Sequence, residues 1–461
     1  MSEKKNWRAI AGDPLRYALM ARLCSKGTAL LFAVMMAAYY VIVMKLCAAM
    51  EGAAVIAAVG TLGAAILTAF AWHAVRKENV PVIVLLCLAA LSMLAVGAHL
   101  ALLDIKPGRY SNVLEPLLGD MWNYELTTAA AWEDDGWSGV YLLILALLSR
   151  VETFSWLYAV KLIDMICQGV AAGAVLRLAM QRGTKVYGAL AAMFVVVLTP
   201  TMLMKAGVWA QCDATFALFT LWGLALLLDD HPLAGCVLWG LALGTKLQSA
   251  FLFPLLIVLF MKNRVQLSHV LALAAAAFLC QIAIVLDGQG LWALVSRYAQ
   301  QLDIARWEGV GLSDHAPGVY GLMKVASVRE FSGMGLYLGI ASALLVVGAL
   351  LRTRRELTND VMLVSALLLA CGLPLILPQM NARSLYLATM LAFAVAANRR
   401  RMIAAGLIEF VSLCAYMKGI FAFDVVHIMI LALVAIGAGV LVMLELFEII
   451  FVKKNEEAPL A

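Results

Sequence analysis

Long apolar runs limit what this chain can fold into more sharply than anything else in it. A hydrocarbon core of about 30 Å is crossed by about 20 apolar residues in helical form, since a helix satisfies its own backbone hydrogen bonds. Windows of that kind number about fourteen. They are Gly27 to Leu46, Ala53 to Val75, Val82 to Leu103, Trp156 to Leu178, Val186 to Met202, Ala214 to Leu228, Leu233 to Gly244, Ala250 to Met261, Leu267 to Leu286, Gly333 to Leu351, Val361 to Leu377, Leu385 to Ala397, Met402 to Ile420 and Val425 to Phe451. With 64% hydrophobic and 14% charged residues, the composition excludes an ordinary soluble domain. The expected fold is therefore all-α, a polytopic membrane protein, and some of its windows are short.

Charge placement gives an orientation. With the N-terminus inside, one side holds Lys4, Lys5, Arg8, Arg16, Arg22 and Lys26, then Arg76–Lys77, Arg182, Lys185, Lys262, Arg264, Arg352, Arg354, Arg355, Arg399 to Arg401 and Lys453–Lys454. All fall on the same face, as the positive-inside rule requires. Both termini are then cytoplasmic and the membrane is the cell's inner one. The net charge of +5 is topological and calls for no nucleic acid partner. A basic leader and no small-residue cleavage site mark the first window as a retained helix. The nine cysteines show no C-x-x-C pair and no zinc-ligand spacing.

Two long connections, Asp104 to about Ser155 and Asp287 to about Ser332, fall on the outer face, whereas the cytoplasmic ones are short. Loops of this length are usually functional. From Asp104 to Gly136 the first carries seven carboxylates against two cations (Lys106 and Arg109), and such density raises carboxyl pKa values toward general-base work or marks a solvated acidic loop. Val140 to Leu148 is too short to span and reads as an interfacial helix.

Three further outer turns carry polar residues. "KAGVWAQCDATF" places Trp209, Gln211 and Asp213 at the mouth of a helix. Trp209 suits a belt anchor; Asp213 suits either a helix cap or a group facing a partner or wet cavity, because an ionisable group in lipid costs at least about 2.5–3.5 kcal/mol. "LALGTKLQSAFLFPL" places Lys246 and Gln248 at the next turn, as a snorkelling lysine or one that meets a lipid phosphate. "LPQMNARSLY" adds Arg383 and Tyr386, and arginine engages phosphate oxygens bidentately. A reaction between a membrane-anchored phosphate and a hydroxyl, with a carboxylate to take the proton, would use this inventory.

These residues resemble the motifs of the GT-C superfamily of integral-membrane glycosyltransferases, in the mannosyl- and glucosyltransferase branch and its bacterial relatives. "VWAQCDATFALFTLWGLALLL" looks like W-G-Q-x-D opening a helix, and "LAGCVLWGLALGTKLQSAFLFPLLIVLF" like a hairpin ending in K-x-Q. "YLLILALLSRV…LYAVKLIDMI" is similar to an interfacial helix followed by Y-x-x-K-x-x-D, "LSDHAPGVYGLM" to the outer-loop N-A-x-N-x-W signature, and "LPQMNARSLYLATMLAFAVA" to L-P-x-M-H-E-R-Y-x-Y-x-A. The matches run in order from about Gly119 to about Ala397. Asn381-Ala382 replaces His-Glu, Ala210 replaces the glycine, and Ser384 replaces a tyrosine.

The resemblance implies an inverting transfer from a polyprenyl-phosphate sugar to a hydroxyl of a glycan or lipid-linked acceptor. Asp120, in a Gly-Asp pair, would be the base, with Asp134 and Asp135 as alternatives. Trp209, Gln211, Asp213, Lys246, Gln248, Arg383, Tyr386 and His315 would bind substrate. No cofactor and no metal site is expected, although a divalent cation stays open. It also implies a catalytic core over 81–400, two additional helices in 1–80 and a C-terminal part in 401–461. A non-catalytic relative and a lipid or glycan flippase are the competing readings; the latter would place ionisable groups on broken helices, with Asp164 and Arg177 the mid-helix charges.

Overall fold

A computed structural model describes residues 14–78, 80–132, 139–151, 154–211, 213–301, 312–323, 328–353 and 357–452. The chain divides into two compact units, Met1–Gly97 and Ala98–Ala461. In the first, α1 (Pro14–Leu46) and α2 (Ala53–Val75) pack as a hairpin. Helix α3 (Val82–Leu100) runs across the boundary between the units.

The second unit opens with a π-helical turn, Tyr110–Leu114, followed by α4 (Glu115–Trp122), α5 (Leu126–Ala130) and α6 (Gly139–Leu148). Next come α7 (Trp156–Gln181), α8 (Val186–Leu198), α9 (Pro200–Met204) with a π-turn Lys205–Trp209, α10 (Asp213–Leu228) and α11 (Pro232–Thr245). A 3₁₀ segment, Leu247–Leu252, leads to α12 (Phe253–Met261), α13 (Leu267–Leu279), α14 (Ile282–Leu286) and α15 (Trp292–Gln301). Then follow β1 (Ser313–Asp314), α16 (Val328–Arg352), α17 (Asn359–Ile376), β2 (Met380–Asn381), α18 (Tyr386–Val395), α19 (Arg399–Phe421) and α20 (Ile428–Phe447). The protein is an all-α multi-pass membrane protein, and its described residues include a short parallel β1–β2 pair, Ser313 beside Met380 and Asp314 beside Asn381.

Among the described residues eight helices are long and apolar enough to cross a membrane, and nine if the bent pair Val186–Leu198 and Pro200–Trp209 is one span. The other expected windows form helices too, but short ones: α10, α11, the 3₁₀ segment with α12, α13 and α18. At 1.5 Å per residue the 16 residues of α10 reach about 24 Å, short of a full crossing. The missing length has a physical cause. Helix α10 begins at Asp213, α11 stops one residue before Lys246 and α18 begins three after Arg383, so these helices end where polar side chains gather.

Close packing holds the short helices. Trp239 Nε1 of α11 donates to Thr220 O of α10 at 3.0 Å, and small residues let the backbones approach, as in membrane bundles generally. Helix α7 is anchored by residues three apart, hence on one face. Tyr158 donates to Asp104 Oδ1 (2.7 Å), Lys161 Nζ donates to the carbonyls of Leu102, Leu103 and Ile105 (3.1, 2.7 and 2.6 Å), and Asp164 lies one turn deeper. The two connections expected outside are clamped together. Thr128 donates to Asp287 (2.6 Å), Arg297 donates to the carbonyls of Trp132 (2.7 Å) and Ala131, and Ala131, Ile284 and Leu294 make a small apolar cluster.

Candidate functional site

The site is built where one helix is broken. Proline disfavours helical backbone in the residue before it, so Thr199 is extended (φ −62°, ψ 145°), α8 ends at Leu198, and the chain restarts 44° away at Pro200. The π-turn that follows brings Lys205 and Trp209 inward. It passes so close to the segment after α3 that a Cβ on Gly207 would stand 2.8 Å from Leu102 Cβ. Ala210, in left-handed backbone (φ 55°, ψ 51°), then reverses the chain into Gln211 and α10.

Asp213, the first residue of α10, is buried, and its carboxylate is met by cations from three segments. Lys246 Nζ lies 2.6 Å from Oδ1, while Arg383 Nη1 and Lys205 Nζ each lie 3.1 Å from Oδ2. Arg383 Nη1 also donates to Gln211 Oε1, and Lys205 Nζ donates to Gln211 O at 2.5 Å. The Arg383 guanidinium carbon stands 5.4 Å from the Trp209 ring centre, and Lys246 Nζ 5.3 Å from that of Phe216. A second buried carboxylate, Asp164 of α7, sits 3.9 Å from Lys205 Nζ and accepts from Ala214 N at 3.1 Å. Thus Asp164, reaching across from α7, holds the first turn of α10, and Asp213 is left to the cations.

Counted at their ordinary charges, Lys205, Lys246 and Arg383 outnumber Asp164 and Asp213 by one. Burying unpaired charge is costly, so an excess cation is retained only where it meets an anion or water. Lys246 is the one at the opening: its side chain keeps 17% of its exposure, against 7% for Arg383 and none for Lys205.

Five of the expected residues thus converge: Trp209, Gln211, Asp213, Lys246 and Arg383. Neither Trp209 nor Lys246 takes its ordinary membrane role, since the indole is 4% exposed and the ammonium turns toward Asp213. Gln248 stands two residues beyond Lys246, half-buried, its Oε1 without a hydrogen-bond partner among the described residues. Tyr386 is fully buried; its hydroxyl donates to Gln168 Oε1 (3.3 Å), and Gln168 Nε2 lies 2.9 Å from His99 Nε2. His315 is exposed and left-handed (φ 63°), and its backbone bridges Asn381, tying the second outer connection to the Arg383 turn.

Asp120 is not part of the convergence. It sits on the exposed face of α4, whose Leu117, Leu118 and Met121 enter an apolar cluster shared with Ala210, and no ion pair or hydrogen bond among the described residues joins it to Asp213. Asp134 and Asp135 lie outside the described residues.

Lys205 and Asp164 are the members that sequence reasoning left without a role here. Asp164 is an ionisable group inside an apolar window and Lys205 stands three residues past the end of another, and such placement marks each as a residue in need of a partner. Among the described residues no group of three or more His, Cys, Asp or Glu side chains is placed to hold a metal ion. No protein-family model matches the chain, and no curated protein matches it.

Proposed function

We propose that this chain is a GT-C-like glycosyltransferase of the inner membrane, with both termini cytoplasmic, that moves a sugar from a polyprenyl-phosphate donor to a hydroxyl acceptor at the outer face. The observation that carries the proposal is the buried Asp213 cluster with its one-cation excess. A lipid phosphate is the anion such a cluster lacks, and Arg383 and Lys246 would neutralise the charge that grows on it as the C1–O bond breaks. The leaving group is a low-pKa acid, so one carboxylate base suffices to take the acceptor proton. Asp120 is that base in this reading: α4 enters the same apolar cluster as Ala210, beside Gln211, while its carboxylate faces outward where an acceptor would arrive.

One observation favours a second reading. The 44° break before Pro200 and the buried Asp164–Lys205 pair are features a transporter would use, here a flippase for the same lipid. The experiment that separates the two gives purified protein a panel of polyprenyl-phosphate sugars, in detergent with a hydroxyl acceptor and in sealed proteoliposomes. The transferase releases free polyprenyl phosphate and loses that activity in Asp120→Asn with unfolding unchanged. Movement of intact lipid across the bilayer, without release, refutes the transferase.

A further inference from the structure

We propose that α19, which lies beyond the segment carrying the glycosyltransferase resemblance, is part of the site's machinery, with Glu409 as the positioning residue that seats Lys205 and Trp209. The break at Thr199–Pro200 frees the piece Pro200–Trp209 from the direction of α8, so something else must fix where it points. Helix α19 does so at both ends. At the near end Thr201 N donates to Glu409 Oε1 (3.0 Å), and the Thr201 hydroxyl donates to Glu409 O (3.4 Å), two bonds between the same pair of residues.

At the far end Trp209 meets the Tyr416 ring edge-on, with centroids 4.9 Å apart and planes at 85°, inside a cluster completed by Ala382 and Ala415. The indole lies over Gly419, where a Cβ would stand 2.7 Å from Trp209 Cη2. Glu409 and Tyr416 are seven residues apart, on one face of α19 and separated by about 10.5 Å of helix rise. The piece they hold spans eight residues from Thr201 to Trp209, about 12 Å, so α19 fits it as a splint. Lys205 falls between the two fixings, aimed at Asp213 and Gln211 O.

Glu409 is otherwise hard to account for. It is the eleventh of 23 residues in a span-length apolar helix, where an ionisable group is expensive. Its second oxygen, Oε2, is buried and makes no hydrogen bond among the described residues, so the carboxylate's contact there is the one to Thr201. A single acceptor oxygen is what the contact uses, and glutamine supplies one as well.

The test uses the full-length protein labelled with 5-fluorotryptophan, the Trp209 ¹⁹F resonance being assigned by its loss in Trp209→Phe. Glu409→Leu is expected to shift or broaden that resonance, whereas Glu409→Gln leaves it in place. Under the transferase reading, on which only this arm rests, Glu409→Leu also lowers sugar transfer roughly tenfold to a hundredfold while Glu409→Gln stays within about twofold, since a site misplaced by an ångström loses that much. If Glu409→Leu does not fold, Thr201→Ala and Gly419→Ala must each move the same resonance. A Trp209 signal indifferent to Glu409→Leu overturns the inference, as does a Gln variant that moves it equally far. A shifted resonance in a protein without transferase activity defeats the proposed function alone.

Discussion

Two ionic clusters lie at opposite ends of α18, one buried and the other partly so, and they differ in charge balance. Before its N-terminus, three cations surround Asp213 with Asp164 nearby, leaving an excess of one positive charge. Beyond its C-terminus, Arg401 is bidentate to Asp360 (2.6 and 2.7 Å) and donates to Glu445 (3.0 Å). Arg400 bridges Glu448 (2.6 Å) and Glu445 (3.3 Å), Asn398 donates to Glu445 (2.7 Å), and Arg182 stands 4.0 Å from Asp360. Three arginines there face three carboxylates. A balanced, fork-to-fork network fastens α17, α19 and α20 together and has no use for a further ion. An unbalanced cluster does have one, and this contrast separates a fastener from a site.

The largest expected effect tests that contrast directly. Asp213→Ala and Glu445→Ala each strand buried cations and should lose about 3–5 kcal/mol of unfolding stability. A polyprenyl phosphate added during thermal unfolding in detergent should restore part of the loss in Asp213→Ala, since a ligand that binds only the folded state stabilises it and here supplies the missing anion. Glu445→Ala should gain nothing. Equal rescue of both variants, or of neither, erases the distinction.

A smaller effect sharpens it. Lys246→Gln removes the excess cation at the opening, so the remaining charges balance and stability should change by less than about 1 kcal/mol. Binding of a polyprenyl phosphate in nanodiscs should weaken about tenfold, equivalent to about 1.4 kcal/mol. Arg400→Gln, at the balanced cluster, should leave that binding as it was. If both variants bind as the unaltered protein does, the excess charge is not used for an anion.

How much of this was legible beforehand depends on the residue. Long apolar runs located the helices, and their shortness near Asp213, Lys246 and Arg383 already marked where polar groups interrupt them. The pairing of those residues is tertiary and follows from no single segment. Local patterns also leave faces open: Leu117, Leu118 and Met121 define the buried side of α4, and Asp120 falls on the other side. Tyr386 follows Arg383 by three residues, one turn that carries it into the bundle toward Gln168. Asp164 was visible as a charge in an apolar window and Lys205 as one just past another, but only the folded chain shows that they answer each other across 3.9 Å.

The smallest expected effect concerns Ala210, where the resemblance would put glycine. Its left-handed backbone costs an L-residue roughly 1–2 kcal/mol, which Ala210→Gly relieves. Against this, the Ala210 methyl is fully buried in the apolar cluster that also holds Leu117, Leu118 and Met121, and burying such a group contributes about 0.8 kcal/mol. Glycine also loses more chain entropy on folding, by about 0.5–1 kcal/mol. The opposing effects nearly cancel, so Ala210→Gly should shift unfolding stability by no more than about 0.5 kcal/mol and leave phosphate binding unchanged. A loss several times larger would mean that the methyl, wedged between the α4 cluster and Gln211, holds the site's reversal in place, and that the packing around Ala210 matters more to the cation cluster than its backbone conformation does.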